Sequence, residues 1–98
     1  MRCDGTLVSD LTPRLRGVRV LIVEDTWVVA NAVQSLLEDV GMMVAGPAAN
    51  IADAERLVSE QAPQLAVVDV NLGGNQALGL IRRLCGIGVA VVVISGSP

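Results

Sequence analysis

Three stretches of this chain are apolar almost without interruption: Val18–Val23 (VRVLIV), Leu65–Leu72 (LAVVDVNL) and Val89–Ile94 (VAVVVI). A strand with one wet face alternates apolar and polar residues. A strand buried on both faces does not, and such strands belong to parallel sheets covered by helices. The segments between the runs have the helical period instead. Strands alternating with helices imply a parallel sheet with right-handed crossovers. The chain is therefore read as an α/β protein.

In order, the elements are as follows. Met1–Gly17 is polar, carries Pro13 and is read as a loose leader. The first strand, Val18–Val23, ends at Glu24-Asp25. Trp27–Val40 is a helix, with Val29, Val33, Leu36, Leu37 and Val40 on one face, and Gly41 stops it. Met42–Ala45 is a short second strand, ended by Gly46-Pro47. Asn50 caps a helix over Ile51–Gln61 whose inward residues are Ile51, Ala54, Leu57 and Val58. Pro63 resets the chain before the strand that carries Asp69. Asn75–Cys85 is a third helix, with Leu78, Ile81, Leu84 and Cys85 as its expected buried side. Gly79 weakens it, and Arg82-Arg83 suit the negative end of its dipole. Val89–Ile94 is the fourth strand, closed by Ser95-Gly96.

Composition removes several chemistries. The 98 residues hold no histidine and no lysine; all seven basic residues are arginine. A Ser-His-Asp triad, a histidine metal site, a histidine phosphoacceptor and a lysine nucleophile are excluded within these residues. Cys3 and Cys85 are isolated and have no ligand spacing, which points to free thiols in a reducing cytoplasm. A net charge of -3 offers no electrostatic case for nucleic-acid binding. Val89–Ile94 is too short to span a bilayer, and the N-terminal stretch lacks the long apolar run of a signal peptide.

What remains is a set of oxygen ligands at strand ends: Glu24-Asp25, Asp69 with Asn71, and Ser95. In a parallel sheet the carboxyl ends of all strands lie on one edge, where open α/β sheets bind ligands. Asp25 or Thr26 can cap the following helix, and Asp69 can cap its turn with Asn71 and Gly73. If the strands are neighbours, three carboxylates converge, and like charges at that distance call for a cation. Oxygen ligands without histidine or cysteine suit Mg²⁺. A carboxylate beside such an ion can attack phosphorus and form an aspartyl phosphate.

The strings VLIVED, LAVVDVNL and VVVISG, each in its place in the βα order, resemble the receiver domain of two-component response regulators over residues 18–97. The resemblance implies a flavodoxin-like, doubly wound sheet of order 2-1-3-4-5. It implies Asp69 as phosphoacceptor and Glu24 and Asp25 as the acidic pair that holds Mg²⁺. It also implies Asn71 as the source of a backbone-carbonyl ligand, and Ser95 as the switch hydroxyl. The phosphoryl donor would be a sensor histidine kinase or a histidine phosphotransfer protein. Receivers continue past the fourth strand with a helix, a fifth strand that ends in lysine, and a last helix. The expectation is thus a flexible leader at 1–17 and a receiver at 18–98 with order 2-1-3-4, C-terminally incomplete.

Two other readings stand beside the phosphoacceptor. A receiver-like interaction module that works without phosphorylation is favoured by the absence of lysine. A Mg²⁺-dependent phosphohydrolase of the haloacid-dehalogenase type would carry a second aspartate where this chain has Asn71, and would need a lysine. Trp27 either packs over the acidic pocket or shields apolar surface in the first helical turn. Val89–Ile94 has no charge or proline to blunt an edge, so a homodimer through that edge is expected.

Overall fold

The computed structural model describes residues 15–72 and 75–94. The elements are β1 (Arg19–Val23), α1 (Trp27–Asp39), β2 (Met43–Ala48), α2 (Ile51–Gln61), β3 (Leu65–Asp69), α3 (Asn75–Gly86) and β4 (Ala90–Ile94). The four strands form one parallel sheet of order β2-β1-β3-β4. The parallel sheet is what the alternating pattern implies, and its 2-1-3-4 order is the doubly wound, flavodoxin-like one that the family resemblance implies.

The two faces of the sheet are covered unequally. On one face Leu21, Val23, Ala66 and Val68 pack against Ala54 of α2 and Leu80 and Leu84 of α3. On the other, Val20 and Val67 pack with Met42, and the partly buried Val33, Leu37 and Val40 of α1 and its C-cap close over them. Leu15, from the expected leader, packs against this second cluster. Residues 1–14 lie outside the described residues. Helix α1 sits on β1 and β2, and α3 on β3 and β4. Val20 to Val23 are fully buried, which is why β1 can be apolar throughout.

Three local expectations are corrected. Strand β2 does not stop at Ala45. It runs to Ala48 through a register break between Leu21 and Val23 of its partner, with a cis Gly46-Pro47 bond in the irregular stretch. Gly46 has φ 96°, and a Cβ there would lie 2.8 Å from the Ala48 nitrogen, so only glycine fits the bend. On α1, Leu36 is exposed, while Ala30 is the buried residue. On α3 the buried residues are Ala77, Leu80 and Leu84; Leu78 and Cys85 are exposed, and Ile81 is half-buried. Ala77, Leu80 and Leu84, at i, i+3 and i+7, form an apolar stripe as regular as the expected one, and it is this stripe that meets the sheet. Buried Leu72 belongs to the core from within the turn after β3.

Helix ends follow their capping chemistry. Asn50 Oδ1 accepts the Asp53 N–H at 2.8 Å, as expected for an N-cap. Ala62 ends α2 in the left-handed region, its N–H donating to the Val58 carbonyl. Arg83, in the last turn of α3, pairs with Glu55 of α2 rather than standing free in solvent.

Candidate functional site

The site is assembled by register. Val23 of β1 lies beside Val68 of β3, so the next residues, Glu24 and Asp69, emerge together at the carboxyl edge of neighbouring strands. The backbone holds them there from both sides. The Glu24 N–H donates to the Ala48 carbonyl at 2.9 Å, and the Val70 N–H donates to the Ile94 carbonyl at 2.9 Å. All four strands therefore fix this edge. The part played by Ala48 was hidden in the sequence because the expected β2 ended three residues earlier.

Glu24, Asp25 and Asp69 each bring a carboxylate oxygen within 4.8 Å of the others. Glu24 and Asp69 are only 2% and 4% exposed, while Asp25 faces solvent. Glu24 Oε1 accepts the Thr26 N–H at 3.0 Å. Asp69 Oδ1 accepts the Asn71 N–H at 2.9 Å. The Asp69 carbonyl accepts the Leu72 N–H, which tightens the turn that follows β3. The capping interactions foreseen for Asp69 thus coexist with the cluster. Thr26 does occupy the N-cap of α1, but its side chain makes no capping bond; the link there runs from Glu24.

Glu24 Oε2 is buried and has no hydrogen-bond partner. Burial raises the Glu24 pKa above the ordinary carboxylate value; the Thr26 N–H works against this, and the Asp69 charge adds to it. A buried, unpartnered carboxylate oxygen is costly. A divalent cation would remove that cost, since hard cations take carboxylate oxygens. The donor set thus fits a small hard cation, held by Glu24, Asp25 and Asp69.

Among the other expected residues, Asn71 sits in the turn next to Asp69, exposed. Ser95 lies outside the described residues. Trp27 begins α1 two residues past Asp25 and is 72% exposed, so it does not form a packed lid over the carboxylates. A concavity of about 600 Å³ runs between α2 and α3 and is lined by Val58, Leu80, Leu84 and Ile87 among others; no residue of the acidic cluster lines it.

Comparison with known proteins agrees with this geometry. The chain is 34% identical over 82 residues to the virulence-factor positive transcription regulator BvgA of Bordetella pertussis, and equally to that of Bordetella bronchiseptica. The alignment takes in 82% of this chain and 39% of those relatives, so the chain spans about two-fifths of their length. The fold superposes on the response regulator PhyR of Brucella abortus with a TM-score of 0.70 at 21% identity, covering 89% of this chain and 37% of that one. It superposes on the response regulator MaeR bound to beryllium trifluoride with a TM-score of 0.63 at 28% identity, covering 83% and 69%. Among the described residues no helix is long and apolar enough to cross a membrane. The model for the response regulator receiver domain matches residues 20–97, and with the sheet order and the acidic edge in agreement, the chain belongs to that family.

Proposed function

We propose that this chain accepts a phosphoryl group on Asp69 in a two-component phosphorelay, with Mg²⁺ held by Glu24, Asp25 and Asp69 and by the backbone carbonyl of Asn71. The observation that carries the reading is the cluster itself. Three carboxylates lie within 4.8 Å, and one of them has a buried oxygen with no partner. A fold gains nothing from such an arrangement unless something positive binds it. That the similar MaeR regulator was obtained with beryllium trifluoride is compatible with this reading.

In the proposed step an Asp69 carboxylate oxygen attacks the phosphorus of a phosphohistidine on a sensor kinase or phosphotransfer protein. A P–O bond forms, the P–N bond breaks, and the leaving imidazole takes up a proton. Bound Mg²⁺ would supply charge neutralisation at the phosphoryl oxygens. Glu24, anchored by Thr26 and Ala48, would keep the acidic pair in place, and the Asn71 N–H would orient the Asp69 carboxylate. The hydroxyl role of Ser95 rests on the family resemblance. A cytoplasmic location goes with this donor and with the free Cys85 thiol.

The test is intact mass after incubation with Mg²⁺ and acetyl phosphate, run beside Asp69→Asn. The expected result is one added phosphoryl group, lost in the variant and lost on chelation. A folded protein that gains no mass would instead favour the second reading, an interaction module independent of phosphorylation.

A further inference from the structure

We infer that two copies of this chain dock face to face over the groove between α2 and α3, with the two-fold axis along the groove, so that α3 of each copy lies on α2 of the other. The inference does not depend on phosphoryl transfer. Helix α2 packs on β1 and β2, and α3 on β3 and β4, so the groove runs above the seam between β1 and β3, in the middle of the sheet. Its lining comes from α2, α3 and the turn after α3, and neither edge of the sheet takes part. Leu15, the first described residue, packs on the opposite face. Both helices run back from the carboxyl edge of the parallel sheet to its amino edge, as crossover connections require. Ile87, just before β4, therefore stands at the amino edge, and docking leaves Glu24, Asp25 and Asp69 open.

Val58, Leu80 and Leu84 floor the groove, and Ile87 stands at its rim, 64% exposed. Glu55 and Arg83, 28 positions apart, pair across it. The two helices run the same way, so Ser59 stands level with Ile87, and Ala52 with Leu80. Rotation about an axis along the groove keeps each level and exchanges the walls. Ile87 of each copy then meets Val58 and Ser59 of the other, and apolar surface that its own copy leaves wet is covered. The facing helices can approach closely. Gly79 and Gly86 lie at i and i+7 on the side of α3 away from the buried Leu80 and Leu84, and the exposed Ala52 and Ser59 of α2 stand at their levels. A Cβ at Gly86 would meet nothing within 4 Å, and its φ is not left-handed, so nothing among the described residues calls for glycine there.

Charge selects a second copy as the occupant and sets its orientation. Helix α2 carries Asp53, Glu55, Arg56 and Glu60. Arg56 lies between Asp53 at 3.9 Å and Glu60 at 3.0 Å, and Glu55 is taken by Arg83, so α2 keeps one carboxylate in excess of its cations. On α3 the exposed Arg82 makes no ion pair among the described residues. Laying α3 on α2 brings Arg82 of each copy to the Asp53–Arg56–Glu60 group of the other, and symmetry makes the contact twice. The alternative two-fold, across the groove, would set α2 on α2 and α3 on α3, with like charges opposed.

The test is sedimentation velocity of the 98-residue chain over a concentration series, with Arg82→Glu, Glu60→Arg and Ile87→Ser. All three side chains are exposed, and the urea midpoint of each variant checks that it folds. The wild type should form a dimer as concentration rises. Each variant alone should dimerise roughly tenfold more weakly or worse, the first two because like charges then meet at both contacts. An equimolar mixture of Arg82→Glu and Glu60→Arg should recover the dimer, because both contacts of the mixed pair again join opposite charges. Leu36→Lys, exposed on α1 over the other face of the sheet, should leave the dimer unchanged. A wild type that stays monomeric at every concentration would give the groove to some other occupant and overturn the inference. So would a dimer indifferent to Arg82→Glu or to Ile87→Ser, a mixture that does not recover, or growth past two copies.

Discussion

Glu24 is the residue on which burial and charge are in open conflict. Its Oε2 is buried without a partner, and burial is the largest cause of its raised pKa. A carboxyl group whose folded pKa lies above its unfolded one binds more protons in the folded state between those two values. Stability is then greatest at the acid end of that window, falls as pH rises through it, and is level above it. Glu24→Gln removes the charge and keeps the shape. Without metal, we expect it to stabilise the fold at pH 7 by about 1–2 kcal/mol, a gain that vanishes once pH falls well below the ordinary glutamate pKa of roughly 4.3, where the wild-type carboxyl is protonated in the folded and unfolded states alike. Thermal or urea unfolding of the two proteins across pH, in chelator, measures this; a variant less stable than wild type at pH 7 would refute the argument. The cluster was legible in the sequence because carboxylates ending apolar strands are conspicuous. The orphaned oxygen was not, because it depends on Thr26 satisfying one oxygen of Glu24 and nothing satisfying the other.

Elements obey the pattern more faithfully than faces do. Strand β3 and helix α2 begin where the sequence places them, since Pro63 and the Asn50 cap are local signals that tertiary contacts do not alter. The cap should show its usual energy: Asn50→Ala should cost about 1 kcal/mol, read from the urea midpoint. The inward face of α3 lies about one position from the expected one, because Ala77, Leu80 and Leu84 repeat at helical spacing just as Leu78, Ile81 and Cys85 do, and periodicity alone does not choose between the two stripes. The corrected face makes a sharp contrast. Leu80 is fully buried against the sheet and Leu78 is exposed. Leu80→Ala should lose about 2–5 kcal/mol, and Leu78→Ala less than about 1. A larger loss at Leu78 than at Leu80 would restore the first reading. The Arg83–Glu55 pair joins two helices, yet both side chains are about half exposed, so Arg83→Ala should cost under about 1 kcal/mol. Strand β2 was read short because Gly46-Pro47 is a stop signal almost everywhere; a register break let the strand resume at Ala48.

At the scale of the molecule, the same sheet that buries β1 and β3 in apolar surroundings delivers three carboxylates to one edge. The core and the acidic edge therefore oppose each other, and a cation at that edge should strengthen the whole fold. A ligand that binds only the native state stabilises it by about 2.7 kcal/mol at a hundred times its Kd. For a domain of this size that raises Tm by roughly 10 °C or more. We expect Mg²⁺ to raise Tm at pH 7, and to raise it less as pH falls into the Glu24 window, where protons compete for the same carboxyl group. Glu24→Gln and Asp69→Asn should each reduce the shift, while Leu78→Ala, exposed on α3 and outside the acidic cluster, should keep it. Trp27 offers an independent readout: it opens α1 one residue after Thr26, whose N–H is tied to Glu24, so cation binding that reorients Glu24 should change its emission at the same Mg²⁺ concentration that shifts Tm. If a folded protein melts identically with Mg²⁺ and with chelator at pH 7, the acidic edge is not a cation site, and the energetic conflict at Glu24 must be relieved by its own proton.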